Sequence, residues 1–261
     1  MFFTAIFLLL LGLALGSFCT VCVHRLPKNL SIIKPRSFCI SCNKSIKWFH
    51  NIPVFSFLFL KGKCGFCKKK ISWTYPLIEI TAAISLVILY CYFQTIHLEF
   101  IFLSFFFLSL IILFFCDFKF FLLPNMVVFF LFFVGFVRCL VAPDSTFFSS
   151  SISSLLGFIA GIGFLYFFAK AYQLLRKKEG MGMGDVKLLG ALGLWLGWQS
   201  LFFIIIVSAL LGILAGLSAV ALGKMEIQNR IPYGCFLVLA TFLYISFISS
   251  ITSFYQTYMF L

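Results

Sequence analysis

A helix needs roughly 20 apolar residues to cross the hydrocarbon core of a bilayer, and runs near that length recur along this whole 261-residue chain. They fall at about Phe2–Val23, Pro76–Gln94, Phe100–Cys116, Phe121–Val141, Ile152–Leu175, Val186–Trp198 (a short one), Leu201–Leu222 and Pro232–Ile251. With 63% of residues hydrophobic and only 10% charged, the composition excludes a soluble domain, which is nearer half apolar and a quarter charged. The expected fold is all-α, a polytopic membrane bundle of about eight spanning helices. The first run has no basic residue in Met1–Ala5 and no clean cleavage site after it, so it reads as an uncleaved helix rather than a signal peptide.

The formal net charge is +13, a balance that in a soluble chain would point to nucleic acid. Its distribution points elsewhere. Eleven of the 20 Lys and Arg lie between His24 and Ile78, a stretch without one acid. Positively charged loops stay on the cytoplasmic side, so this loop is expected inside, with both chain termini outside and no nucleic-acid role. The loop also suits anionic lipid head groups.

The same loop holds Cys39-Ile40-Ser41-Cys42 and Cys64-Gly65-Phe66-Cys67, two CxxC pairs with 21 residues between them. Four thiolates so spaced match a structural Zn2+ site, and a loop this poor in apolar core gains folding energy from a metal. Two reactive dithiols, or disulfides, are the alternative; a reducing cytosol disfavours disulfides. Cys19 and Cys22 repeat the spacing inside an apolar helix, where they read as small buried hydrophobes.

Only seven acids occur in the chain, so each is informative. Asp117 directly follows the third apolar run, and Asp185 opens the sixth, inside Gly180-Met181-Gly182-Met183-Gly184-Asp185-Val186-Lys187. An acid at the edge of the hydrocarbon is costly and points to function. Two carboxylates that share a proton can divide the work of amide hydrolysis, one as base on water and one as acid on the leaving nitrogen. Gly182 and Gly184 leave room for a backbone running beside them. Read singly, Asp117 is also an interfacial loop acid and Asp185 a helix cap. Glu79 lies inside the second run, where it either pairs structurally or handles an amine. Glu99, Asp144, Glu179 and Glu226, in loops or at helix ends, read as solvated. The competing reading is a proton- or cation-coupled transporter with Asp117 and Asp185 as the relay; a scaffold without chemistry is a second.

In order along the chain, Gly16-Ser17-Phe18, His24-Arg25-Leu26-Pro27, the two CxxC pairs, Asn51-Ile52-Pro53, Tyr75-Pro76-Leu77-Ile78-Glu79, Gly184-Asp185-Val186-Lys187 and Ile231-Pro232-Tyr233-Gly234 resemble the bacterial prepilin leader peptidases, membrane aspartic peptidases of the GxGD type. The resemblance implies an inner-membrane enzyme with two activities. It would cut the basic leader from type IV prepilins or pseudopilins at the cytoplasmic face, after a Gly, and N-methylate the new terminus with S-adenosylmethionine. It assigns Asp117 and Asp185 as the catalytic pair, supported by Gly182, Gly184 and Lys187. It makes Cys39, Cys42, Cys64 and Cys67 the metal or thiol site, and it links Glu79 to methyl transfer. Residues 1–99 would then carry the methyltransferase-associated region and residues 100–261 the peptidase. Asn125 stands where many members have Asp.

Overall fold

The computed structural model describes residues 2–142, 150–177, 182–223 and 231–259. Among these residues the protein is helical, with no strand and two isolated bridges, Phe38 to Ser45 and Lys63 to Lys70. Asp144, Glu179, Glu226 and the basic loop 224–230 lie outside the described residues.

Each apolar run becomes one helix. In order they are α1 (Phe2–Arg25), α3 (Thr74–Phe93), α4 (Leu98–Phe120), α5 (Asn125–Val141), α6 (Ser151–Arg176), α7 (Met183–Leu196), α8 (Trp198–Ala221) and α9 (Tyr233–Met259); the short α2 (Phe55–Phe59) sits in the cysteine loop. Helices α1, α3, α4, α6 and α8 are long and apolar enough to cross a bilayer. Helix α7 has 14 residues, and at about 1.5 Å per residue it falls short of a ~30 Å hydrocarbon core. The expected all-helical bundle is therefore present, and among the described residues five of its helices are of full spanning length.

The chain divides into two compact units, Met1–Cys116 and Asp117–Leu261. In the first, α1 packs closely along α3 because Gly12 and Gly16 form a groove. A Cβ on Gly12 would stand 2.6 Å from the Ala83 Cα, and one on Gly16 would stand 2.6 Å from the Glu79 Cα. Backbones this close gain dispersion contacts that larger residues prevent. At the end of α1 the buried Arg25 gathers the start of the loop. Its guanidinium donates to the carbonyls of Ser31 (2.9 Å) and Pro35 (2.8 Å).

In the second unit, α7 is the hub. Gly157 and Gly161 of α6 meet Gly193 and Gly190 of α7, so closely that a Cβ on Gly193 would strike the Gly157 carbonyl. On the other flank the Trp195 indole donates to the Leu131 carbonyl of α5 at 2.9 Å. The fully buried Arg138 of α5 donates to Ser154 Oγ (2.9 Å) and to the Trp195 carbonyl (3.2 Å). A single residue, Gly197 at φ 82 and ψ 169, separates α7 from α8. That conformation is open to glycine almost alone.

Candidate functional site

Asp117 does not follow its helix, as the sequence suggests, but lies in the last turn of α4, 5% exposed. Asp185 is the third residue of α7, past an extended Gly182 that starts the helix. It is a first-turn acid rather than the cap itself, well placed against the positive end of the helix dipole. The element that joins the two carboxylates is the start of α9. The Cys235 amide donates to Asp117 Oδ2 at 2.9 Å. A Cβ on Gly234 would stand 2.9 Å from Asp117 Oδ2 and 3.2 Å from Asp185 Oδ1. Both carboxylates thus close on one point, and these two oxygens are separated by no more than about 6 Å.

The partners of two supports of this pair, Lys187 and Gly184, are not evident from the sequence. The Lys187 ammonium donates to Asn125 Oδ1 at 2.9 Å, tying the start of α5 to the first turns of α7. Leu123, in the link before α5, packs on Gly184, where an added Cβ would stand 3.1 Å from the Leu123 Cβ. Gly182 borders Asp185, whose Oδ2 is 3.3 Å from the place of its missing Cβ. The short Ile-Pro-Tyr-Gly element was readable in the sequence, but its role as an amide donor to Asp117 was not.

In the first unit the two CxxC pairs fold as equivalent knuckles. In each, the first Cys carbonyl accepts the amide four residues on, from Asn43 (2.8 Å) or Lys68 (3.1 Å). Both of those residues take positive φ, 54 and 59. In each, the first Cys amide also donates five residues on, to Lys44 (3.0 Å) or Lys69 (2.9 Å). The four sulfurs lie within 4.8 Å of one another, Cys39 and Cys67 at 3.9 Å. A tetrahedral zinc with ~2.3 Å bonds separates its sulfurs by about 3.8 Å, so the donor set fits a Zn2+ ion with shifts of about an ångström. All ten cysteines are free thiols. The backbone amides of Cys67 and Phe66, pointing at Cys64, lower its thiol pKa to about 7. At Cys42 the Lys44 amide pulls down, but burial and the neighbouring Cys39 and Cys67 thiols outweigh it and hold the group at about 11.

Beside the knuckles is a cavity of about 410 Å³, bordered by Ser17, Thr20, His24, Cys39, Tyr75 and Glu79. Glu79 is 8% exposed, and its Oε2 accepts the Val54 amide at 2.7 Å. That amide is aimed by a tight turn. Val54 takes φ 60 and ψ −51, while the Phe55 amide bonds the Pro53 carbonyl at 2.6 Å. This is a three-residue γ-turn of the positive-φ kind, costly for a β-branched side chain. A cost of about 1–3 kcal/mol persists only where surroundings over-determine it, which is common at sites.

The fold and these residues define a class: an integral membrane protein with a helix-end carboxylate pair in one unit and a thiol-rich, cavity-bearing loop in the other. The family profiles agree. That of the bacterial peptidase A24 N-terminal domain matches residues 10–93, and that of the type IV leader peptidase family matches residues 104–217. The chain is 33% identical to the prepilin leader peptidase/N-methyltransferase of Aeromonas hydrophila, over 98% of this chain and 94% of the relative. It is 34% identical to the protein of the same name in Pseudomonas aeruginosa (89% and 86% covered) and 34% to that in Bacillus subtilis (95% and 96%). This chain belongs to the type IV leader peptidase family. No solved structure matches it.

Proposed function

We propose that the protein is an aspartic endopeptidase that removes the basic leader of type IV prepilins or pseudopilins, with Asp117 and Asp185 as its catalytic pair. The observation that carries this reading is the point beside Gly234 that both carboxylates reach. A water hydrogen-bonded between the two carboxylates meets one as base; the other, protonated, delivers its proton to the amide nitrogen of the scissile bond. The Cys235 amide holds Asp117 while this happens. Prepilin cleavage is in keeping with the family and with the relatives' names. The basic loop supports a cytoplasmic orientation for the site.

The same reading gives residues 1–99 a second activity, N-methylation of the new amino terminus, and residues 100–261 the peptidase. The cavity beside Glu79 lies within the range for small ligands, and its acid and hydroxyls suit S-adenosylmethionine and an amine. When bound, S-adenosylmethionine supplies an electrophilic methyl group. Glu79 is placed to orient the amine and to take the proton it loses, with its carboxylate held by the Val54 amide. Cys39, Cys42, Cys64 and Cys67 would hold the zinc that keeps this loop folded.

The test is a mass-spectrometric assay with a prepilin whose leader ends in Gly. Wild type cleaves after that Gly, and Asp117→Asn and Asp185→Asn do not, while all three retain their helix content. With S-adenosylmethionine the product gains one methyl group. Cleavage retained in either variant removes that residue from the pair. Proton flux lost in the variants, with no cleavage by wild type, would favour the relay.

A further inference from the structure

We infer that α2 is an interfacial helix, lying in the head-group layer of an anionic membrane and fastening the cysteine loop to the bilayer surface. The inference does not depend on either proposed activity. It begins with Trp73, which directly precedes the membrane-length helix α3 and caps it; the Leu77 amide bonds the Trp73 carbonyl at 3.2 Å. A residue at the first turn of a spanning helix is at the membrane–water boundary, the depth at which tryptophan is enriched. Trp73 is nevertheless 73% exposed within the protein.

Helix α2 is fixed at that same depth. The buried Phe57 ring packs on the Trp73 ring, centroids 4.7 Å apart and inclined at 61°. Two backbone bonds lock the geometry: the Gly62 amide to the Phe57 carbonyl (2.8 Å), and the Ile71 amide to the Gly62 carbonyl (2.7 Å). With Phe57 turned inward, α2 presents Leu58 and Phe59 outward, 61% and 86% exposed. Exposed Lys61 and Lys63 follow directly.

Large apolar side chains left bare in a loop call for a cover. The cover must accept aromatic and aliphatic groups, attract lysines, and lie level with the first residue of a spanning helix. A head-group layer with anionic lipid meets all three conditions; lysine stems lie along the apolar surface while their ammonium groups reach the phosphates.

The experiment uses the full-length protein, one copy per lipid nanodisc, and reads the emission difference between wild type and Trp73→Phe, which isolates Trp73. Lipids brominated near the head group should quench this emission by roughly two-fold, and those brominated near the chain end should quench it less. Aqueous acrylamide should quench it less in discs than in detergent. Leu58→Asp with Phe59→Asp should expose Trp73 to acrylamide while circular dichroism and bound metal stay unchanged. Lys61→Gln with Lys63→Gln should abolish the extra shallow quenching that anionic lipid adds. Shallow quenching that persists in the aspartate variant would place Trp73 by α3 alone and overturn the role of α2. Protection from acrylamide without quenching by either bromolipid would mean that protein covers the face, which also overturns the inference. Indifference to anionic lipid would overturn its charged part.

Discussion

Gly234→Ala separates the geometry of the carboxylate pair from the stability of the fold. The new methyl would stand 2.9 Å from Asp117 Oδ2, 3.1 Å from its Cγ and 3.2 Å from Asp185 Oδ1. Ordinary contact requires about 0.5 Å more at the tightest of these. The atoms that must yield are carboxylate tips, not backbone, so folding hardly suffers; alanine inside a helix even gains about 0.5–1 kcal/mol over glycine. Catalysis does suffer. A misplacement of 1 Å costs on the order of a hundred-fold, so half of it costs about ten-fold, or ~1.4 kcal/mol of transition-state stabilisation. The expected result is kcat down about ten-fold, KM little changed, and Tm in detergent equal to or above wild type. Steady-state cleavage of a prepilin, followed by mass spectrometry, measures the first two, and differential scanning fluorimetry the third. A kcat equal to wild type would refute the shared point between Asp117 and Asp185, and with it the case that they act as one unit.

Gly193→Ala should destabilise the second unit by about 1–3 kcal/mol through overpacking, because its Cβ meets the Gly157 carbonyl. Gly163→Ala on the same α6 meets nothing within 4 Å and should be neutral or slightly stabilising in the same thermal melt. Glu79→Gln should abolish methylation while leaving cleavage intact, read as product mass with and without S-adenosylmethionine; equal loss of both activities would deny the two units separate tasks. Cys64→Ser with Cys67→Ser should lower the zinc-to-protein ratio measured by elemental mass spectrometry. Thiolate, not thiol, binds the metal, and protons already compete at neutral pH through Cys42; the Cys64 thiol titrates near pH 7, so zinc affinity should fall more steeply as pH drops below about 7. A slope of affinity against pH that is the same on both sides of pH 7 would count against Cys64 as a ligand.

Much of this architecture was legible along the chain because its signals are local. Apolar runs of this length report membrane helices, since a helix satisfies its backbone groups within the one segment that enters the hydrocarbon. All eight runs became helices, with ends shifted by a few residues where caps such as Gly182 and Gly197 act. The CxxC knuckles were legible for the same reason: each is a turn of a few residues that carries its own hydrogen bonds. Arg138 shows where local signals stop. It is one basic residue in an apolar run, yet it is fully buried, donating across to α6 and α7.

The sequence by itself determined which segments enter the membrane, where the thiols cluster, and that Asp117, Asp185 and Glu79 are acids out of place in an apolar chain. Hydrophobicity and charge are properties of single residues and short windows, so they survive without a fold. Only the tertiary structure decided what those acids face. Asp117 and Asp185 lie 68 positions apart, and the amide and the bare Cα between them come from α9, almost 50 positions further on. Glu79 owes its partner to a strained turn at Val54, 25 positions earlier. Such meetings depend on how closely helices approach. That is set by glycines such as Gly16, Gly157 and Gly193, whose effect appears only once a second backbone lies against them.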